Sequence, residues 1–319
     1  MNKIAYIYET ASGSDHMART AANGFKNAFV EMGDSFRFFD LDKLKISYWP
    51  AEKIKLTNFN PDIIFTAVEN VRYLPLNILQ PASLVLLGSF YSPCNYDDRI
   101  RVLTEKAKKV LNRYSSRHNI LICSPYNQQI NAQFFSGYET ELGLKVIQLL
   151  HCINKTKLTD PILKPEFDLL WLGNTTRRLT AYKSLIAPLK KEFSNFLEYT
   201  QHNMIDPEIV ESENLYARAC ILPNLHTDAQ VKYNMLLNQR LFTAPAFGGF
   251  QICNNTFARK YFKEDELVIA TESSDFIEKT HHYISHPEER VLMIKKMQDN
   301  LLKNHTYVNR VNEIMTALG

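Results

Sequence analysis

Short apolar runs rich in Ile, Leu, Val and Phe recur along this chain at residues 4–8, 36–39, 62–66, 84–88 and 119–123, and again at 167–172, 196–200, 219–222, 250–253 and 267–270. Runs this short are the length of strands. Most of their residues are apolar, which suits the strands of a parallel sheet. Longer helical patterns lie between them, at 15–32 and at 98–114, the second preceded by the turn signal Ser92-Pro93. The repeated strand-helix-strand rhythm, five strands in each half, predicts two doubly wound α/β domains.

Size points the same way, since 319 residues exceed what one core usually supports and suit two domains of about 150 residues each. Asn, Thr, Asp and Pro cluster between 155 and 164, which sets the expected division into a first domain of residues 1–155 and a second of 156–304. A last helical run begins at Pro287, with Glu288 and Glu289 in its first turn, and continues to 318.

Composition excludes several classes. With 45% hydrophobic and 22% charged residues, and no repeat or low-complexity run, the chain reads as globular. A net charge of +3 is too balanced for a nucleic-acid binder, which wants a concentrated basic face. The basic run 101–113 is compatible with a solvated helix face or with peripheral contact to an anionic membrane. The five cysteines, at 94, 123, 152, 220 and 253, form no CxxC pair, so buried free thiols in a reducing compartment are expected. No leader pattern precedes the first strand, and no apolar stretch reaches the roughly 18 residues that span a bilayer. A cytoplasmic location follows as the expectation.

In doubly wound sheets ligands bind beyond the carboxyl ends of the strands, which selects the loops 173–178, 201–211, 223–228 and 254–256. Gly173-Asn174-Thr-Thr-Arg177-Arg178 follows a buried run and opens a helix. Its backbone N–H groups and two guanidinium forks suit phosphate oxygens, although a Gly turn with an Asn or Thr cap and two solvated arginines fits the same residues. Arg240 lies in the otherwise apolar stretch 235–247 and needs an anionic partner if it is buried. Gly248-Gly249 permits close approach of backbone to a ligand, and Asn254, Asn255 and Thr256 cap the next helix.

The pieces Asn224-Leu-His226, Asn238-Gln-Arg240-Leu-Phe242, Gly248-Gly249-Phe-Gln-Ile-Cys-Asn-Asn and His305-Thr-Tyr-Val-Asn-Arg310 together resemble the nucleotide-sugar-binding half of the group 1 glycosyltransferases of the spore-maturation type, over residues 167–316. The resemblance implies the GT-B arrangement, two Rossmann-like domains facing a central cleft, with a closing segment 305–319 crossing back to the first. It implies a nucleoside-diphosphate sugar as donor substrate and no separate cofactor or metal, with donor contacts from Gly173, Asn174, Arg177, Arg178, Asn224, His226, Asn238, Arg240, Thr243, Gly248, Gly249 and Asn254. Where the family usually carries Glu to hold the ribose hydroxyls, this chain has Thr243.

The first domain would then bind a glycan, lipid-linked or protein acceptor. Asp15 or His16, at the end of its first strand, could take a proton from a hydroxyl, but Ser14 or Asp15 as an N-cap and His16 as a first-turn residue fit equally. Tyr91, Asp97, Tyr126 and Asn127 are further rim candidates. The loop at Gly13 lacks GxGxxG, which argues against a dinucleotide fold. Asp40-Leu-Asp42 reads as a strand end and helix cap, and His282 with His286 lacks the glutamate and third ligand of a zinc site. The function expected is metal-independent sugar transfer to a hydroxyl. A nucleotide-sugar epimerase and a non-catalytic nucleotide-sugar or partner-binding protein are the alternatives.

Overall fold

The computed structural model describes residues 1–8, 16–45, 50–74, 82–88, 105–115 and 119–319. It divides into two compact units, Met1–Leu150 with Tyr307–Gly319, and His151–Thr306. The first unit is built on six strands, β1 (Lys3–Tyr8), β2 (Ser35–Asp40), β3 (Ile63–Ala67), β4 (Ser83–Leu87), β5 (Ile120–Ser124) and β6 (Lys145–Gln148), in the order β2-β1-β3-β4-β5-β6. Every neighbouring pair is parallel, so each connection must be a crossover. The central strands β3, β4 and β5 are buried along almost their whole length, which is why they read as unbroken apolar runs.

Strand β6 is absent from the sequence-based expectation, which has five strands in this half. It is an edge strand, exposed at Lys145 and half-buried elsewhere, and its Val-Ile pair runs without a turn signal into Leu149 and Leu150. The first helix, His16–Glu31, begins where the strong helical pattern does. Asp40 ends β2 and its carboxylate accepts from the Asp42 N–H at 2.9 Å, so Asp40-Leu-Asp42 is a strand end leading into the helix Leu41–Lys45.

The second unit holds β7 (Phe167–Leu172), β8 (Phe196–Tyr199), β9 (Ala219–Asn224), β10 (Gln251–Cys253) and β11 (Val268–Ile269), all parallel, in the order β11-β10-β9-β7-β8. Successive side chains of β7 enter two different cores: Leu169 and Trp171 pack with Ile221, Phe250, Phe276 and Ile294, whereas Leu170 and Leu172 pack with Val210, Leu222 and Ala244. Both faces of this sheet are therefore covered, as strand alternation requires.

The closing helical run, read from sequence as continuous from 287 to 318, breaks into Pro287–Asn304 and Tyr307–Leu318. At the break His305 is buried against the rings of Phe242 and Phe262, each 5.3 Å away. Beyond it, Tyr307 meets Phe25 edge to face at 5.2 Å, and Arg310 Nε donates to the Leu150 carbonyl at 2.8 Å. Gly24 makes this packing possible, because a Cβ there would lie 2.1 Å from the Tyr307 ring.

Cys123, Cys220 and Cys253 are buried and free, and burial pushes their thiols up in pKa. These are inert core thiols. Among the described residues no helix is long and apolar enough to cross a membrane. Alanine is a better helix former than glycine by about 1 kcal/mol, yet Gly24→Ala should lower the melting temperature in calorimetry. A melting temperature unchanged or raised would show that Tyr307 does not pack over this helix.

Candidate functional site

In the second unit the chain leaves β7 toward β8 on one side, then returns to add β9 on the other, so the strand order reverses between β7 and β9. Crevices at such switch points lie beyond the carboxyl ends of the two strands. Here those ends lead into Gly173-Asn174-Thr175 and into Leu225-His226-Thr227.

The first loop is pinned from several directions. Gly173 donates its N–H to the Tyr199 carbonyl at 2.9 Å, and a Cβ at Gly173 would stand 2.8 Å from the Trp171 indole. Asn174 Oδ1 accepts from the Arg177 N–H at 3.1 Å, turning the chain into the helical stretch that follows. The Thr175 N–H donates to Gln201 Oε1 at 2.8 Å, tying this loop to the one after β8.

Arg178 and Arg240 cross between the two strands. Arg178, from the loop after β7, donates Nε to the Leu225 carbonyl just past β9 at 2.8 Å. Arg240, the first residue of the helix Arg240–Ala246, donates to the Leu172 carbonyl at the end of β7. Both guanidiniums are half-buried, and neither forms an ion pair with a carboxylate among the described residues. Burial, together with repulsion from Arg240 and Arg177, lowers the Arg178 pKa to about 10. Positive charge converging in a partly desolvated place is stabilised by an anion.

Behind the arginines lies a ring of amides. Pro245 sits inside the helix Arg240–Ala246 and has no N–H to give the Leu241 carbonyl. Gln251 Nε2 supplies that donor at 3.2 Å. Gln251 Oε1 accepts from Asn224 Nδ2 at 2.5 Å, Asn224 Oδ1 accepts from Asn238 Nδ2 at 2.7 Å, and Asn238 Oδ1 accepts from the Leu241 N–H at 3.1 Å. The ring thus starts and ends on Leu241, the neighbour of Arg240. Asn224 and Gln251 are 0% and 3% exposed, so each amide group matched in this way avoids the cost of an unpaired buried polar atom.

His226 extends this support. It is 0% exposed; its Nε2 accepts from the Asn238 N–H at 3.0 Å, and its own N–H donates to Asn254 Oδ1 at 2.7 Å. With Nε2 accepting, the proton belongs on Nδ1, which faces Cys253 Sγ at 3.7 Å. Burial, with smaller repulsion from Arg178 and Arg240, lowers the His226 pKa to about 3, so the ring is neutral.

The residues expected to contact the donor therefore fall into three groups, with Thr243 apart. Gly173, Asn174, Arg177, Arg178 and Arg240 gather at the carboxyl ends of β7 and β9. Asn224, His226 and Asn254 are buried and hydrogen-bonded within the protein, with the half-buried Asn238 joined to them. Gly248 and Gly249 lie elsewhere. They precede β10, at the amino end of a strand, and serve internal packing: a Cβ at Gly249 would be 2.4 Å from Leu222 Cδ1, and Gly248, at φ 76°, faces the Asp160 carbonyl. Thr243, one turn beyond Arg240, is half-buried and turns its hydroxyl back toward the Gln239 carbonyl at 3.4 Å.

In the first unit Asp15, Tyr91 and Asp97 fall outside the described residues, and His16 begins the first helix. Tyr126 is buried and is no rim group, while Asn127 caps the helix Gln128–Phe134 by accepting from the Ile130 N–H at 2.8 Å. His282 and His286 stack ring on ring at 4.2 Å, and Glu289 takes His282 Nε2 at 2.9 Å. Among the described residues no group of three His, Cys, Asp or Glu is placed to hold a metal ion. Sequence reasoning missed Gln251 and Gln201; a proline inside a helix, which leaves one carbonyl needing a donor, is the signal that points to Gln251.

Residues 165–316 match the family described as glycosyl transferase-like, a span that takes in the three arginines and every residue of the amide ring. No curated protein matches the chain by sequence. Among solved structures, an alpha-glucosyltransferase in complex with UDP and a DNA 13-mer superposes with a TM-score of 0.62 at 12% identity, over 99% of each chain. Anabaena HepE in complex with UDP-glucose gives 0.58 at 12% identity, covering 100% of this chain and 99% of its own. Sucrose-phosphate synthase from Thermosynechococcus elongatus gives 0.58 at 11% identity, covering 99% and 98%. The two parallel-sheet units thus form a GT-B fold, and family match and fold together support a glycosyltransferase.

The depressed pKa of His226 has a consequence for stability. Below pH 6.5, the ordinary value, the unfolded chain takes up a proton that the folded chain refuses, so stability present above 6.5 is lost as pH falls toward 3. His226→Gln should flatten that decline in pH-dependent urea unfolding, whatever it does to the absolute stability. A parallel decline in both proteins would contradict the buried neutral ring.

Proposed function

We propose that this chain transfers a sugar from a nucleoside-diphosphate sugar, bound by the second unit, to a hydroxyl acceptor bound by the first. The observation that carries the reading is the crossing of Arg178 and Arg240 between β7 and β9, with Arg177 close enough to lower the pKa of Arg178 further. A diphosphate is an anion of the right kind for several guanidiniums, since planar N–H forks pair with phosphate oxygens in bidentate fashion.

In the proposed reaction the bond between the anomeric carbon and the phosphate oxygen breaks, a bond from that carbon to the acceptor oxygen forms, and the acceptor proton passes to a base. Asp15 and His16 are the candidates for that base. Charge grows on the departing diphosphate, and arginines already held in place stabilise it without reorganising at the moment of reaction. These cations supply what a metal ion otherwise would, so the transfer is proposed to be metal-independent. Structures of similar fold carry UDP or UDP-glucose, which makes uridine the first base to test. The resemblance of the segments around Asn238, Arg240 and His305 supports placement within the spore-maturation group, and the free buried thiols of Cys123, Cys220 and Cys253 fit a reducing, cytoplasmic setting.

Thr243 favours a second reading. Its short hydroxyl stays on its own helix, and a chain without a carboxylate at this point could bind a nucleotide sugar and not turn it over. Release of nucleoside diphosphate from a nucleotide sugar, with and without a panel of hydroxyl acceptors, separates transferase from binder, and isomerised donor without acceptor would indicate an epimerase. The double variant Arg178→Ala, Arg240→Ala should bind nucleoside diphosphate at least ~100-fold more weakly than the parent, since each charge-assisted contact is worth about 1.5–3 kcal/mol. Equal affinity in titration calorimetry would overturn the proposed site.

A further inference from the structure

Gln251 is buried, at 3% exposed, and closes the amide ring behind Arg240. Its place is set by Pro245. In an uninterrupted helix the residue four positions after Leu241 would donate its N–H to the Leu241 carbonyl; proline has none. The carbonyl is instead met by Gln251 Nε2, from β10, at 3.2 Å. The other end of the same side chain reaches Asn224 at the carboxyl end of β9, and through Asn224 and Asn238 the chain of amides returns to the Leu241 N–H.

We infer that Gln251 is a positioning residue for Arg240, supplying to Leu241 the hydrogen bond that Pro245 cannot and so fixing the helical turn from which the anion-holding guanidinium projects. The inference rests on the diphosphate reading above. It follows from connectivity. Arg240 is the first residue of its helix and Leu241 the second, so a shift of the Leu241 peptide is a shift of the Arg240 backbone. The Arg240 side chain is tethered at its far end to the Leu172 carbonyl, on β7, whereas the amide ring ties its near end to β9 and β10. Fixing both ends leaves the guanidinium one place to be, which is what recognition of a diphosphate at a switch point requires. Without Gln251 the Leu241 carbonyl and Asn224 Nδ2 would both be buried unpaired, and the helix turn would move to relieve them.

The test uses the full chain and inorganic pyrophosphate as probe, titrated well below the melting temperature of every variant. Gln251→Met keeps the length of the side chain and removes both hydrogen bonds; it should weaken binding by at least ~5-fold, roughly 1 kcal/mol. Adding Pro245→Ala restores a backbone N–H to the Leu241 carbonyl, and the double variant Gln251→Met, Pro245→Ala should recover most of the lost affinity. Ile294→Ala, in the aliphatic core with Leu169 and Ile221, should lower the melting temperature with affinity unchanged. A Gln251→Met protein that binds like the parent, a double variant as weak as the single, or an Ile294→Ala protein equally weakened would each overturn the positioning role while leaving the diphosphate reading intact. A parent that binds no pyrophosphate overturns that reading, and the role of Gln251 with it.

Discussion

The proline inside the helix Arg240–Ala246 is the constraint around which the second unit is arranged. By withholding one N–H from the Leu241 carbonyl it creates a need inside the core, and the buried amides of Gln251, Asn224 and Asn238 meet it in a closed sequence. That sequence joins β9, β10 and the start of the helix into one rigid corner. His226 and Asn254 continue the same corner on the neighbouring loops. Polar networks of this kind specify one arrangement only when every member is satisfied, and in this ring each of the three amides both donates and accepts.

The corner sits behind a concentration of positive charge. Two half-buried arginines reach across the reversal in strand order, each bonded to the carbonyl that ends the other's strand region. Burial first, and then repulsion from Arg240 and Arg177, lowers the pKa of Arg178. The proposed diphosphate would offset that repulsion, so charge held in this place would favour its binding. The neutrality of His226 fits the same arrangement of charge: a further cation beside Arg178 and Arg240 would add to the repulsion that already lowers its pKa.

How much of this could be read beforehand depended on whether a signal was local. The strands of the second unit were legible because each is a short apolar run flanked by polar loops, and Phe167–Leu172 is observed at the expected residues. Strand β6 was not, because a half-buried edge strand carries a weaker pattern and this one merges into Leu149 and Leu150. In the site, Arg240 and the loop at Gly173 stood out as arginine and glycine in places where their chemistry needs explaining. Gly248-Gly249 is a less specific signal, since glycine serves a close approach of any kind, and here the approaching groups are Leu222 and the Asp160 carbonyl. The role of Gln251 was invisible locally, because what it satisfies lies ten residues away on a different element.

If the second unit holds a nucleoside diphosphate between β7 and β9 as proposed, titration calorimetry across UDP, GDP, ADP and CMP and their sugar conjugates will show it. One base should be preferred, diphosphates should bind more tightly than the monophosphate, and the sugar conjugate should bind with a different heat from the bare diphosphate. Absence of binding by every nucleotide at millimolar concentration would contradict the proposal.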